Sequence, residues 1–306
     1  QRRRGEHPVH RPRRVTAPPR PPREAEALPP AVDWPATPDL AAREPLTRTT
    51  HFRVFPASAD DALLRRQAEA WAPRLEAILA AGSRRLGGRT LDRPVDLVFA
   101  RAYPARCPAR GLAATRDAPP LLMVFVDEQT TAIQLGAVLA HEMAHHLSLD
   151  DHFVGDGVLT EGIANWAGGE AVLRWQGFEN WPSAVRRYWR EGRYVSITDP
   201  AALSPRAQDE DCIARRDRVY NIRTAFVDWL IAQVGLPTVL AMPVAEVTWT
   251  DPGSGEAGQA RLPDYERAAG ADLSTLERRF LRSLSLGGPE VVMFELRPEL
   301  QGVDFQ

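Results

Sequence analysis

Apolar and polar positions begin to follow a regular pattern near residue 50. The segment His51-Phe52-Arg53-Val54-Phe55 alternates as a strand does, and Val95–Ala100, after the Arg93-Pro94 break, predicts a second. The continuous apolar run Leu121–Val126 predicts a third, either an edge strand or a buried central one. Between the first two, Leu64, Ala68, Trp71, Leu75 and Ile78 recur at helical spacing, with Ser58 or Asp60 available as the N-cap and Gly82 as the end. Ala102–Pro120 is rich in Pro, Arg and Gly and reads as loop. From there the pattern turns helical, predicting helices over Thr131–Leu147, Leu159–Trp175, Trp181–Trp189, Val219–Val234 and Leu273–Leu284. Strands first and helices afterwards predict an α+β fold, a small, mostly antiparallel N-terminal sheet joined to a helical half. No internal repeat is visible.

Composition narrows the class. The chain has 306 residues, 44% hydrophobic and 25% charged, which suits a folded domain with a sizeable core. A net charge of −2 gives no bias toward nucleic acid or anionic membrane, and no specific nucleic-acid partner is expected. All 38 basic residues are Arg, which genome composition explains better than a demand for bidentate contacts. Between Gln1 and Arg23 stand eight Arg and six Pro with almost no large apolar side chains, so residues 1–48 are expected to be a disordered linker. A basic arm for an anionic surface is the sharper alternative; a solvated, semi-stiff spacer is favoured. Residues 49–284 then form one domain and 285–306 a tail.

No run of 18 apolar residues exists to span a membrane. The chain begins with Gln1 rather than Met, so an export signal or a membrane tether upstream is an expectation. The two cysteines, Cys107 and Cys212, form no CxxC pair, which argues against a cysteine metal site. One long-range disulfide and two separate buried thiols both remain open.

The richest chemistry lies in His141-Glu142-Met143-Ala144-His145. Two histidines four apart on a helix project from one face and can share a metal ion. Leu135, Leu139 and Met143 form a separate stripe on which the helix can pack. Glu142, beside the metal face, can take a proton from water activated there. A catalytic zinc needs a third protein ligand and an open position. Downstream candidates are His146, Asp150, Asp151, His152 and Glu161. His146 points about 100° away from His145. His152 stands seven residues past His145 where metzincins need six with an intervening glycine, and residues flanking the aspartate of aspzincins are missing around Asp150 and Asp151. Glu161 is the best placed.

Around it, Leu159-Thr160-Glu161-Gly162-Ile163-Ala164-Asn165-Trp166 resembles the gluzincin metallopeptidases, which carry HExxH on one helix and a glutamate on the next, in phrases such as NEGxAxW. The sixteen-residue gap from His145 to Glu161 is similar to that of compact peptidase MA-like domains. Gly162 is expected to let the second helix approach the first. Val219-Tyr220-Asn221-Ile222-Arg223-Thr224-Ala225-Phe226 and the stretch from Ala269 to Leu284 resemble later helices of the family, so the likeness spans residues 49–284.

The resemblance implies a zinc peptidase with His141, His145 and Glu161 as ligands and Glu142 as general base. It further implies that Tyr220, at the start of its helix, stabilises the oxyanion, and that the partner is a peptide or protein substrate. Asn165 stands where thermolysin-like enzymes carry an aspartate that orients the first histidine, so it is expected to reach that imidazole without supplying charge. The GxMEN signature of M1 aminopeptidases is absent. An extracellular or envelope location goes with the family. A zinc-bound protein without turnover and an envelope-tethered scaffold are the competing classes.

Overall fold

The computed structural model describes residues 39–286 apart from 41, 104–106, 116, 149–152, 154–155, 200, 204–210 and 251–256. All three predicted strands form, as β2 (Phe52–Pro56), β3 (Val95–Arg101) and β5 (Leu121–Val126). Two short strands join them, β1 (Thr47–Arg48) and β4 (Gly111–Ala114), in the order β1-β2-β3-β5-β4. The α+β class is as expected, but the sheet is mixed rather than mostly antiparallel. β2, β3 and β5 run parallel, and only the outer strands run against their neighbours. The cause is the connection: β2 reaches β3 through α1 (Ala62–Trp71) and α2 (Leu75–Arg85), and a helical crossover makes neighbours parallel. The chain leaving β3 then passes to the far edge as β4 and returns as β5 between them.

Leu121–Val126 is therefore a central strand, and β4 is the edge. Its continuous apolar character follows, because both faces of the sheet are covered. Phe52, Val54, Leu97, Phe99, Leu122 and Val124 face the main core beneath the helices. The alternate residues Phe55, Val98, Leu121, Met123 and Phe125 meet Leu40, Tyr103, Ala109 and Leu112 on the opposite face.

Local signals fixed the ends of elements differently from the expectation. Asp61, not Ser58 or Asp60, caps α1, accepting from the N–H groups of Leu63 and Leu64. Pro73 lacks an N–H and breaks the long helix into α1, a tight turn over Ala72–Arg74, and α2. Gly82 lies inside α2 rather than at its end. Organised structure also starts before Thr49: Arg43 donates to the carbonyls of Pro56 and Ala57, and β1 pairs with β2. Residues 1–38 of the expected linker lie outside the described residues.

The helical half comprises α3 (Ala132–Ser148), α4 (Gly157–Gly168), α5 (Glu170–Gln176), α6 (Trp181–Arg190) and α7 (Cys212–Val234). It continues with α8 (Leu236–Leu240), the hairpin β6 (Val244–Thr250) and β7 (Ala257–Pro263), α9 (Tyr265–Ala269) and α10 (Leu273–Ser283). The helix predicted over Leu159–Trp175 is two helices, because Gly169 adopts φ 56°, a left-handed conformation only glycine takes readily. α7 begins at Cys212 rather than Val219, capped by Asp211. Its first turns bury Arg215 and Arg218, so their charge concealed the helical pattern. Leu284 and Leu286 pack against the core, extending the domain past residue 284. Among the described residues no helix is long and apolar enough to cross a membrane.

Candidate metal centre

Two helices and one neighbour build the centre. Leu135, Leu139 and Met143 bury their stripe of α3 in the core, which turns His141 and His145 toward α4. α4 is started by Asp156, whose carboxylate accepts from the Leu159 N–H and from the Tyr265 hydroxyl at 3.2 Å. One turn in, Glu161 faces both histidines. Its Oε2 lies 3.2 Å from His141 Nε2 and 3.7 Å from His145 Nε2, and the two ring nitrogens are 3.0 Å apart. Among the described residues these three side chains form a group that could hold a metal ion, one donor atom each. Glu161 Oε2 is buried and makes no well-aligned hydrogen bond. A cation in the middle would satisfy it.

The electrostatics favour a ready ligand. Burial pushes the Glu161 carboxyl up, but His141, His145 and the Arg223 guanidinium outweigh it and hold the group at about 2. The carboxylate is thus ionised at any physiological pH. Asn165, one turn further along α4, places its Oδ1 2.8 Å from His141 Nδ1. The amide oxygen only accepts, so Nδ1 is the donor of this bond and Nε2 is the nitrogen that faces the group. The expected contact of Asn165 is therefore present.

Tyr220 also reaches the site, with its ring stacked on His141 at 5.9 Å between centroids and 11° between planes. It sits in the third turn of α7 rather than at the helix start, since α7 begins earlier than predicted. Burial first, then the charges of Glu161 and Glu142, push its phenol well above the ordinary tyrosine value, with Arg216 and Arg223 opposing. The hydroxyl stays a donor. Glu142 is buried, and its side chain lies against β4: a Cβ added to Gly111 would come 2.6 Å from Glu142 Cγ and 2.7 Å from Cδ.

Two glycines adjust the helices, and the division differs from the expectation. Gly162 opens α4 to α7, not to α3, because a Cβ there would meet Val227 Cγ2 at 2.6 Å and the Arg223 carbonyl at 3.0 Å. Gly168 makes room for α5, since a Cβ there would meet Val172 Cγ2 at 2.7 Å, whereas the α3 atoms Ala140 Cβ and His141 N would lie at ordinary contact distances of 3.6 and 3.7 Å. His146 is outside the three-residue group, and Asp150, Asp151 and His152 lie outside the described residues.

Sequence reasoning missed Gly111, the strand β4 that carries it, and Arg223. The segment Arg110-Gly111-Leu112-Ala113-Ala114 held a weak signal, four small or apolar residues inside a Pro-rich stretch. Arg223 is fully buried next to the Tyr220 turn, and nothing local distinguishes it from an exposed arginine. The two cysteines are joined: Cys107, before β4, is disulfide-bonded to Cys212, the first residue of α7. Compared with known proteins, the chain matches no family model, no curated protein and no solved structure.

Proposed function

We propose that this protein is a zinc-dependent peptidase of the gluzincin kind, with His141, His145 and Glu161 as the metal ligands. The observation that carries the reading is the triangle of donor atoms with edges of 3.0, 3.2 and 3.7 Å. Tetrahedral zinc with bonds of about 2.0–2.1 Å sets ligand atoms about 3.3 Å apart, so the triangle fits without rearrangement. Two imidazoles and one carboxylate on three positions are also the donor set of catalytic rather than structural zinc. Zinc, when bound, supplies a Lewis acid that acidifies water and polarises a carbonyl.

The chain's own residues do the rest. Glu142 takes the proton from the attacking water and passes it to the leaving nitrogen as the C–N bond breaks. Tyr220 donates its phenolic hydrogen to the oxygen that becomes negative. Asn165 holds His141 in the tautomer and orientation that a ligand needs. Among the described residues β4 pairs with β5 alone, which leaves an edge where an extended peptide backbone can add as a further strand beside Glu142. That role passes from the run 121–126 to residues 111–114. The substrate class is peptide or protein, and the disulfide supports an oxidising compartment, extracellular or in the cell envelope.

A second reading, a metal-binding protein without turnover, draws support from Asn165, which gives His141 a neutral partner in place of a carboxylate. Elemental analysis and digestion of a proteome-derived peptide library separate the two. The peptidase reading expects one zinc per chain, lost in His145→Ala, and cleavage that is abolished in Glu142→Gln while its zinc stays. Equal cleavage by wild type and Glu142→Gln would leave the second reading standing.

A further inference from the structure

The segment before β4 is fastened to the first two turns of α7 by contacts of three different chemistries. Cys107 is disulfide-bonded to Cys212. Arg216 Nη2 donates to the Pro108 carbonyl at 3.1 Å. Arg110 makes a two-pronged ion pair with Asp217, at 2.6 and 3.1 Å, while its guanidinium lies 4.5 Å over the Trp175 ring. Both ends of this strap adjoin the metal centre. On one side the next residue is Gly111, against Glu142. On the other, Tyr220 follows Asp217 by one turn of the same helix and stacks on His141.

The remaining restraints on this strand are non-covalent. β4 has four residues, none fully buried, and among the described residues pairs with β5 alone, while Leu112 and Ala114 pack on the apolar cluster of the outer sheet face. The Tyr103 hydroxyl accepts from the Ala109 N–H, and the mostly buried Arg110–Asp217 pair is a second tie between this segment and α7. The covalent bond is the one of these three ties to α7 that a reductant can open.

We propose that the Cys107–Cys212 disulfide is a redox-sensitive strap that sets the position of the β4 edge over the metal centre. The inference concerns regulation of the site described above and rests on the peptidase reading for its activity arm alone. Cys107 is half-buried and Cys212 buried, so a dithiol reductant enters at Cys107. Its thiolate attacks the Cys107 sulfur and the Cys212 thiolate leaves. The second thiol then displaces Cys107, so the reductant ends as a disulfide and the protein gains two electrons and two protons. With the bond open, the segment is tied to α7 by the Arg110–Asp217 pair and the Arg216–Pro108 hydrogen bond alone, and β4 gains freedom while the ligands on α3 and α4 keep their places.

The full chain, oxidised and after reduction with dithiothreitol, is compared with Cys107→Ala/Cys212→Ala by amide hydrogen exchange, zinc content and peptide hydrolysis. Both free thiols are counted by alkylation. In the reduced and double-variant forms, exchange over residues 107–114 is expected to rise about tenfold or more while that of β2 and β3 is unchanged. One zinc per chain remains, and kcat/KM falls about ten- to a hundredfold, chiefly through KM, and returns on reoxidation. Unchanged exchange over 107–114 with both thiols alkylated would overturn the strap, as would an equal rise in β3, which marks a bond that only stabilises the whole fold. If the oxidised chain cleaves nothing, the peptidase reading falls, and the exchange arm still decides the strap.

Discussion

Gly111 leaves the space that Glu142 occupies: the smallest side chain at 111 would stand 2.6 Å from Glu142 Cγ. Carbon atoms do not approach so closely, so Gly111→Ala must turn Glu142 away from its position beside the metal centre. The backbone of β4 tolerates alanine, and the edge strand has little packing to lose. The expected result is a fall in peptide turnover of about a hundredfold or more, the contribution of a positioned general base. Zinc content and thermal midpoint stay close to wild type. Steady-state kinetics with parallel elemental analysis check it.

Close approach of α4 and α7 gives a test of the scaffold. In Gly162→Ala the added methyl meets the Arg223 carbonyl at 3.0 Å as well as Val227, and a backbone atom cannot swing aside. Better helix propensity returns about 1 kcal/mol and the clash costs more, so a net loss of about 1–2 kcal/mol is expected. Gly82→Ala is the matched control. There the nearest atom is Leu147 Cδ1 at 3.3 Å, the far end of a flexible side chain, so the substitution is near neutral or stabilising. Urea unfolding of both variants measures the contrast.

The contrast between these two glycines also shows what a sequence can carry. His141, Glu142 and His145 are legible because the metal face of a single helix is a local property; Glu161 stood out among the downstream candidates, and Asn165 followed from the family resemblance alone. The positions of β2, β3 and β5, unlike those of β1, β4, β6 and β7, followed from apolar patterning, likewise a local property. Strand direction did not, because whether Val95–Arg101 lies parallel to Phe52–Pro56 depends on a crossover that no residue in either strand records. The start of α7 was hidden because Arg215 and Arg218 are buried where periodicity expects apolar side chains. Gly162 was read toward α3 when its neighbour is α7, since spacing reports which residues share a face and not what that face meets.

A pH-dependent anchor joins the sheet to α2. Glu76 accepts from the Thr49 hydroxyl at 2.6 Å, the His51 N–H at 2.9 Å and the His51 ring at 2.8 Å. Burial raises its carboxyl pKa, and these hydrogen bonds more than offset that, so the net shift is downward. A depressed carboxyl contributes stability that is complete above its unfolded value of about 4.3 and is lost as pH falls through the folded value. Glu76→Gln should therefore melt below wild type at pH 7, and the gap should close as the pH is lowered toward 3. Thermal midpoints across that range test the sign.

Tyr220→Phe removes one hydroxyl and keeps the ring that stacks on His141 at 5.9 Å. If the phenol serves the developing oxyanion, kcat falls by about a hundredfold while KM and zinc content hold, because the lost interaction exists only in the transition state. A rise in KM with kcat intact would instead assign the hydroxyl to substrate binding.

Asn165 separates orientation from charge at the first histidine. In Asn165→Ala, His141 Nδ1 loses its acceptor at 2.8 Å, and the ring can adopt the tautomer that turns a proton toward the metal. Zinc affinity should fall about ten- to a hundredfold, the usual effect of removing such a partner. Asn165→Asp keeps the hydrogen bond and adds a negative charge, which makes the imidazole a stronger donor, so zinc should bind more tightly than in wild type. Glu161 meets the ring at Nε2 and residue 165 meets it at Nδ1, so the imidazole separates the two carboxylates and their repulsion is small. Competition with a zinc chelator ranks the three proteins. The order Asp, Asn, Ala supports Asn165 as a partner that orients but does not polarise; equal affinities would reduce it to a buried amide with no part in the site.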